Sequence, residues 1–350
     1  MESQGKSMEN SIEISVMYQF NEKYVPFAAT SIVSLLENNK EIDKLTIYIL
    51  GEAITEESKK MLTSQINRYS REVILVDATS LVKKLKEIEV NDYRGSYATN
   101  FKMFIEDFIP ESINRLLYLD SDTIVSGSIK DLAKIDMHGN PVAMCYDSMC
   151  RNHKKRIGFS DTDAYFNGGV ILYDVKCWKE QKCTERICKH LREERSHYMA
   201  PDQDLINIVL KGQITTLSIA YNIQPIHYIY SYKKYISFFG QQSYYLEEEV
   251  IEGIAKPIIN HTFRNLGEFP WHKNTLHPNK DLFDWYVELS MWKEYQKEVT
   301  ENNDFIFKFE RYLFIRLPKS IFIFVFKICY EIFMWKANKD SKKRKNNKRM

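Results

Sequence analysis

The strongest constraint in this chain is an uncharged run, Leu116, Leu117, Tyr118 and Leu119, that stops at Asp120, Ser121 and Asp122 before apolar residues resume at Ile124 and Val125. A run so short and bulky, without the alternation of a half-buried strand, predicts a β-strand covered on both faces, as in the middle of an α/β sheet. Two carboxylates one residue apart at its mouth can reach a common point only if the backbone leaves β geometry there. Ligands of open α/β sheets sit beyond the carboxyl ends of the strands. Paired hard oxygens suit Mg²⁺ or Mn²⁺, ions that complete their shells with phosphate oxygens. The stretch therefore predicts a metal carrying a diphosphate. Asp-x-Asp by itself is also a common turn or cap pattern. Here it follows an uncharged strand and is echoed by Asn167-Gly168-Gly169 and by Asp202-Gln203-Asp204.

Upstream, strand patterns at Ile12–Met17, Leu45–Leu50 and Val73–Val76 alternate with helical patterns at Val25–Glu37 and Thr55–Asn67. That alternation predicts a parallel sheet with right-handed crossovers. The turn after the first strand holds neither Gly-x-Gly-x-x-Gly nor a P-loop, which argues against a dinucleotide oxidoreductase or a P-loop ATPase. Ala98–Phe108 reads as a helix closed by Pro110, and Pro141–Tyr146 as a short strand ending at Asp147. The glycines before the apolar run Val170–Leu172 suit either a close approach of backbone to ligand or a plain bulge. Pro201 opens a helix through Leu210, where Asp202 is equally a dipole-matching acid or, with Gln203, a group facing the site. Lys256–Asn260 reads as one more strand, followed by His261 and then Pro270-Trp271.

With 350 residues, 44% of them hydrophobic, the chain can bury a large core. A main α/β domain over 11–280 and a helical region over 281–350 are expected. The net charge of +2 gives no support to a nucleic-acid partner. Met1–Asn10 lacks the apolar core of a secretory signal, and six cysteines form no Cys-x-x-Cys pair, which reads as a cytoplasmic protein with reduced thiols. Beyond Asp281, Leu282, Trp285, Tyr286, Leu289 and Trp292 recur at helical spacing. Tyr312–Trp335 is rich in Phe and Ile but broken by charges and Pro318, and eight Lys or Arg follow from Lys336 onward. Those features predict a helix lying on an anionic membrane surface in preference to one that spans it.

In this order the motifs resemble glycosyltransferase family 8, the retaining nucleotide-sugar transferases that include bacterial lipopolysaccharide galactosyl- and glucosyltransferases and glycogenin-like enzymes. The resemblance covers about Ile12 to Trp271. Tyr24 with Ser31–Leu36, Leu-Tyr-Leu-Asp-Ser-Asp, Tyr-Phe-Asn-Gly-Gly-Val, Asp-Gln-Asp and the late His before Pro-Trp carry it. It implies a Rossmann-like GT-A fold, a mostly parallel sheet flanked by helices, with Mn²⁺ (or Mg²⁺) held by Asp120, Asp122 and His261. A UDP-glucose or UDP-galactose donor would meet Asn21, Tyr24, Lys102, Asp120, Ser121 and Arg264. Asn167 and Gly168 would lie along the sugar and acceptor, and Asp147, Asp202 and Gln203 would form the catalytic group at the donor sugar. Retention implies either double displacement through a carboxylate nucleophile or front-face attack. The family resemblance points to the second, with Gln203, a poor nucleophile, nearest the reacting carbon.

The chain departs from the family pattern in several places. Asn21 replaces the usual Asp, Lys102 a bidentate Arg, and the phosphate-binding Lys has only Arg264 or Lys273 as counterparts. At Asn260-His261 two alignments compete for the ligand slot, and imidazole is the better donor to a transition metal. The activity implied is transfer of a hexose to a surface polysaccharide or lipopolysaccharide-type glycolipid at the cytoplasmic face of the membrane. A metal-dependent nucleotidyltransferase or phosphohydrolase, or a binding protein with a vestigial site, are the other readings of the same carboxylates.

Overall fold

The computed structural model describes residues 11–88, 90, 95–147, 151–193, 198, 200–239, 244–295, 297, 305–330 and 332. Its frame begins with β1 (Glu13–Asn21), α1 (Val25–Glu37), β2 (Lys44–Glu52), α2 (Glu56–Asn67), β3 (Glu72–Asp77) and α3 (Thr79–Glu87). β4 (Arg115–Leu119), β5 (Thr123–Val125), β6 (Val142–Tyr146) and β7 (Phe166–Asp174) follow. The later elements are α4 (Pro201–Val209), β8 (Ile214–Thr216), β9 (Ile259–His261), α5 (Lys280–Leu289) and α6 (Phe305–Arg316).

Seven strands form one sheet in the order β3-β2-β1-β4-β7-β6-β8. The early strands run parallel, as their alternation with helices predicts, and β4 lies in the centre with Leu116 to Leu119 buried on both faces. Burying each leucine there contributes roughly 2 kcal/mol. The sheet is mixed, because β7 runs antiparallel to both β4 and β6. That reversal places the start of β7 at the carboxyl end of β4, with Leu119 opposite Val170 and the Asp120 N–H donating to the Gly169 carbonyl at 2.8 Å. The strand order also turns back between β1 and β4, which opens a crevice there.

Two local expectations change. Ala98–Asp107 is a 3₁₀ segment broken at Phe104, not a regular helix. Side chains occupy its carbonyls instead of the next turn: the Tyr173 hydroxyl donates to Lys102 O at 2.8 Å and Thr184 Oγ1 to Met103 O at 3.0 Å. The strand expected at 256–260 is instead Ile259–His261, and it pairs with β5 in a separate two-stranded ribbon.

α1 begins with Pro26 in its first turn, preorganised for a helix start. Its serines reach the segment just after the acids: Ser31 Oγ lies 2.9 Å from Thr123 Oγ1, and Ser34 Oγ accepts from Val125 N at 2.9 Å. On its other side Phe27 packs with Trp271 and with Phe283 and Tyr286 of α5. Trp285, in the same apolar spacing, faces solvent. α6 ends before Pro318, and a second helical run covers 319–330. Among the described residues no helix is long and apolar enough to cross a membrane. Trp335 and the basic tail from Lys336 lie outside the described residues, as does Cys150. The other five cysteines are free thiols.

Candidate active site

The chain leaves β4 at Asp120 and turns through Ser121 into β5, and the turn is held from inside. Thr123 Oγ1 donates to the Asp120 carbonyl at 2.8 Å, while Thr262 donates to the Asp122 carbonyl from N at 2.7 Å and from Oγ1 at 2.8 Å. Pairing of β5 with β9 sets Thr123 opposite His261. The buried imidazole thereby points Nε2 at Asp122 Oδ1, 3.3 Å away, and at Asp120 Oδ2, 3.6 Å away. These three residues form a group whose ligand atoms all lie within 4.8 Å of one another. Asn260 turns the other way, receiving the Tyr228 hydroxyl and donating to Ser126 Oγ at 2.8 Å.

The opposite ring nitrogen of His261 lies 3.0 Å from Asn167 Oδ1, which also accepts from Gly169 N at 3.0 Å and Asn222 Nδ2 at 2.8 Å. An oxygen already taking two N–H groups requires a donor at Nδ1, which leaves the Nε2 lone pair facing the carboxylates. A hydrogen bond of this kind on the far ring nitrogen fixes the tautomer and orientation that a metal-binding histidine needs. Burial pulls the His261 pKa down, but the hydrogen bond and charge of Asp122 and the charge of Asp120 outweigh it and hold it above its ordinary value.

Lys102, 2% exposed, sits behind this group. Its ammonium lies 2.7 Å from Asp202 Oδ2 and 3.5 Å from Asp120 Oδ1, and donates to the Gly168 carbonyl at 2.9 Å. Burial opposes its charge, yet Asp120 and Asp202 together raise its pKa. Lys102 thus pairs with two of the carboxylates, Asp120 and Asp202, while Asp122 is met by His261. Two carboxylates with an imidazole form a suitable donor set for a divalent cation.

The floor is a continuous polar network. Gln203 Oε1 accepts from Gly168 N at 2.8 Å, and Nε2 donates to Asp147 Oδ2 at 2.7 Å and to Tyr165 OH at 3.0 Å. Gln224 supplies Asp147 Oδ1 at 3.0 Å. Asp204, fully buried, receives the Tyr165 hydroxyl at 2.6 Å and lies 2.7 Å from His153 Nε2. A cleft of about 330 Å³ opens beside this floor, between β1 and the end of β4. Asn21, Tyr24, Asp120, Ser121, Asp122 and Arg264 line it, while Lys102, Asp147, Asn167, Gly168, Asp202, Gln203 and His261 do not.

Several members carried no distinctive sequence signal. Tyr118 hydrogen-bonds Asp120 from within the apolar run, Gln224 comes from an unpatterned segment, and Gln19 lines the cleft with both side-chain amide atoms unpaired. Tyr165 could have been weighed, since it begins the Tyr-Phe-Asn-Gly-Gly motif.

The arrangement belongs to a known class. The crystal structure of galactosyltransferase LgtC in complex with donor and acceptor sugar analogs superposes with a TM-score of 0.64 at 17% identity, covering 79% of this chain and 96% of that one. The likeness establishes a GT-A glycosyltransferase fold. The model of glycosyl transferase family 8 matches residues 15–274, and the chain belongs to that family. Lipopolysaccharide 1,2-glucosyltransferase of Escherichia coli (strain K12) is 27% identical over 284 residues, covering 80% of this chain and 79% of the relative. General stress protein A of Bacillus subtilis (strain 168) is 26% identical over 275 residues, 78% of this chain and 92% of its own length. The chain is thus a glycosyltransferase.

Proposed function

We propose that this glycosyltransferase is a retaining, metal-dependent hexosyltransferase that moves glucose or galactose from a UDP-sugar to a polysaccharide or lipopolysaccharide-type acceptor. The carrying observation is the Asp120-Asp122-His261 group, with Nε2 turned to both carboxylates and Nδ1 held by Asn167. Mn²⁺, or Mg²⁺, is the ion this donor set suits. Bound there, it would neutralise the diphosphate leaving group, the main electrostatic need of the transfer.

The chain's own groups divide the remaining work. Asn21 and Tyr24 take the base end of the cleft, and Ser121 and Arg264 take the diphosphate side. Lys102 holds Asp202 in place beneath the sugar through their ion pair, and its bond to the Gly168 carbonyl fixes the backbone there. Gln203 presents a carboxamide whose two ends are tied to Gly168 and Asp147. A carboxamide is a weak nucleophile, and the neighbouring carboxylates are already engaged, Asp147 by Gln203 and Gln224, Asp202 by Lys102, and Asp204 by Tyr165, His153 and the Ala200 N–H, which favours front-face attack over a covalent intermediate. The catalytic unit is taken as 11–280. The region 281–350 is assigned to a helical appendage whose aromatic, basic end docks on an anionic, cytoplasmic membrane surface.

UDP release from UDP-glucose and UDP-galactose with Mn²⁺, followed by addition of cell-envelope glycolipid, tests the assignment. The expected result is release abolished by chelation, cut about a hundredfold or more in Asp122→Asn, and product that keeps the donor's anomeric configuration. Release indifferent to both chelation and Asp122→Asn would overturn it.

A further inference from the structure

After His261 and Thr262 the chain enters a hairpin closed by reciprocal backbone bonds between Asn265 and Glu268, both 2.8 Å. Its turn residues, Leu266 with φ 50° and Gly267 with φ 76°, are both left-handed. Such a turn favours Asn-Gly, and a leucine at its first position is disfavoured, so the hairpin needs support from outside. One flank faces the cleft through Phe263, Arg264 and Phe269, and Arg264 is the one cationic side chain among the described residues lining it. The other flank meets α6. Phe307 lies so close over Gly267 that a Cβ there would stand 2.7 Å from its ring, and the Arg264 guanidinium lies between the rings of Phe307 (5.5 Å) and Phe269 (5.4 Å). One helical turn later, Arg311 pairs with Glu268 and donates to the Asn274 carbonyl at 3.0 Å. Glu268, buried, also accepts from Thr275 Oγ1 at 3.2 Å and Leu276 N at 3.0 Å, so one carboxylate ties the segment together.

We propose that α6 is a clamp holding the Arg264 hairpin against the donor cleft, with Phe307 and Arg311 as positioning residues. The proposal rests on the reading of that cleft as the UDP-sugar site. It extends the site into a helix beyond residue 274, where the family match ends. The side chains at 307 and 311, four apart, share one face of α6 and meet adjacent residues of one turn, Gly267 and Glu268.

The test uses full-length protein, with steady-state kinetics on UDP-glucose and UDP-galactose and amide hydrogen exchange over 265–275. Arg311→Ala removes a charge-assisted hydrogen bond, so the donor KM should rise roughly tenfold or more while the acceptor KM stays unchanged. Exchange in the hairpin should quicken and be slowed again by UDP with Mn²⁺. Arg311→Lys keeps the charge without the fork and should recover part of the donor KM. Donor KM and exchange both unchanged in folded Arg311→Ala and Phe307→Ala would overturn the clamp alone. Wild-type protein that binds no UDP-sugar would overturn the donor reading, and the clamp with it.

Discussion

Replacing Gly169 by alanine separates a structural account of the Asp-Asp-His group from a merely acidic one. A Cβ at this position would stand 2.0 Å from Cε1, 2.5 Å from Nδ1 and 2.7 Å from Nε2 of His261, where ordinary contact begins at 3.4 Å. The backbone cannot easily yield, because Gly169 O accepts from Asp120 N at 2.8 Å and Gly169 N donates to Asn167 at 3.0 Å. The imidazole must therefore leave, giving up its contact with Asn167 and carrying Nε2 away from Asp120 and Asp122. Loss of the hydrogen-bond partner behind a metal-binding histidine alone costs about 10–100-fold in metal affinity. Displacing the ring itself should cost at least about a hundredfold, or ~3 kcal/mol. Overpacking should take a further ~1–3 kcal/mol from the fold. Gly168→Ala is the control: its Cβ would meet Gln203 Cβ at 3.3 Å, a contact that small shifts relieve. Mn²⁺ titrations with UDP present, followed by calorimetry and paired with a thermal melt, give both quantities. Folded Gly169→Ala protein that binds Mn²⁺ as tightly as wild type would show that His261 does not hold the ion.

Three further outcomes are expected. His261→Ala should lose Mn²⁺ affinity while Asn260→Ala keeps it; in the wild type, affinity should weaken as pH falls through a value above the histidine reference of about 6.5, since the ligand must be neutral. Affinity lost in Asn260→Ala and retained in His261→Ala would reverse the assignment. Deleting 318–350, which spares α6, should abolish sedimentation with anionic liposomes and leave UDP binding intact, since each basic residue near such a surface contributes roughly 1 kcal/mol; equal sedimentation would refute it. Burial lowers His227 to about 3 and His277 to about 4. Both stay neutral when folded and take up protons when unfolded, so stability is full above pH ~6.5 and falls as pH drops toward those values. At pH 5.5 each should cost about 1 kcal/mol, read by urea unfolding of protein carrying both His261→Ala and Glu310→Gln, because the raised pKa of His261 and that of Glu310, pushed up to about 7 by burial, act with the opposite sign. A flat profile from pH 7 to 5.5 would sink this.

What the sequence revealed follows from how local each signal is. The buried strand at Leu116–Leu119, the α1 pattern and the Pro201 helix start depend on neighbouring residues, and each is found where the pattern puts it. The reversal of β7 is not local. An apolar run buried on both faces reads identically in either direction, and only its register with β4 and β6 distinguishes them. Ala98–Asp107 failed for a related reason, since its carbonyls are claimed by Tyr173 and Thr184, more than 70 residues away in the chain. Lys102 was visible as a residue type, but its place between Asp120 and Asp202 required the folded sheet.

The choice between Asn260 and His261 shows how two ambiguous signals constrain each other once the fold is known. Successive residues of β9 point to opposite sides, so only one of them can face the carboxylates. Pairing with β5 gives that side to His261 and leaves Asn260 among Tyr228, Ser126 and Asn279. Gly169 supplies the independent half of the argument, because no other residue leaves room for the ring. The paired glycines were open to a close approach by a ligand or to a bulge. What approaches Gly169 is the chain's own imidazole, placing the demand for glycine one step behind the site. Asn167 acts at the same remove, turning its oxygen to His261, Asn222 and Gly169 instead of toward the cleft. The Asn-Gly-Gly motif thus orients the histidine, and substitutions there should be read through His261 before any direct contact with sugar is invoked.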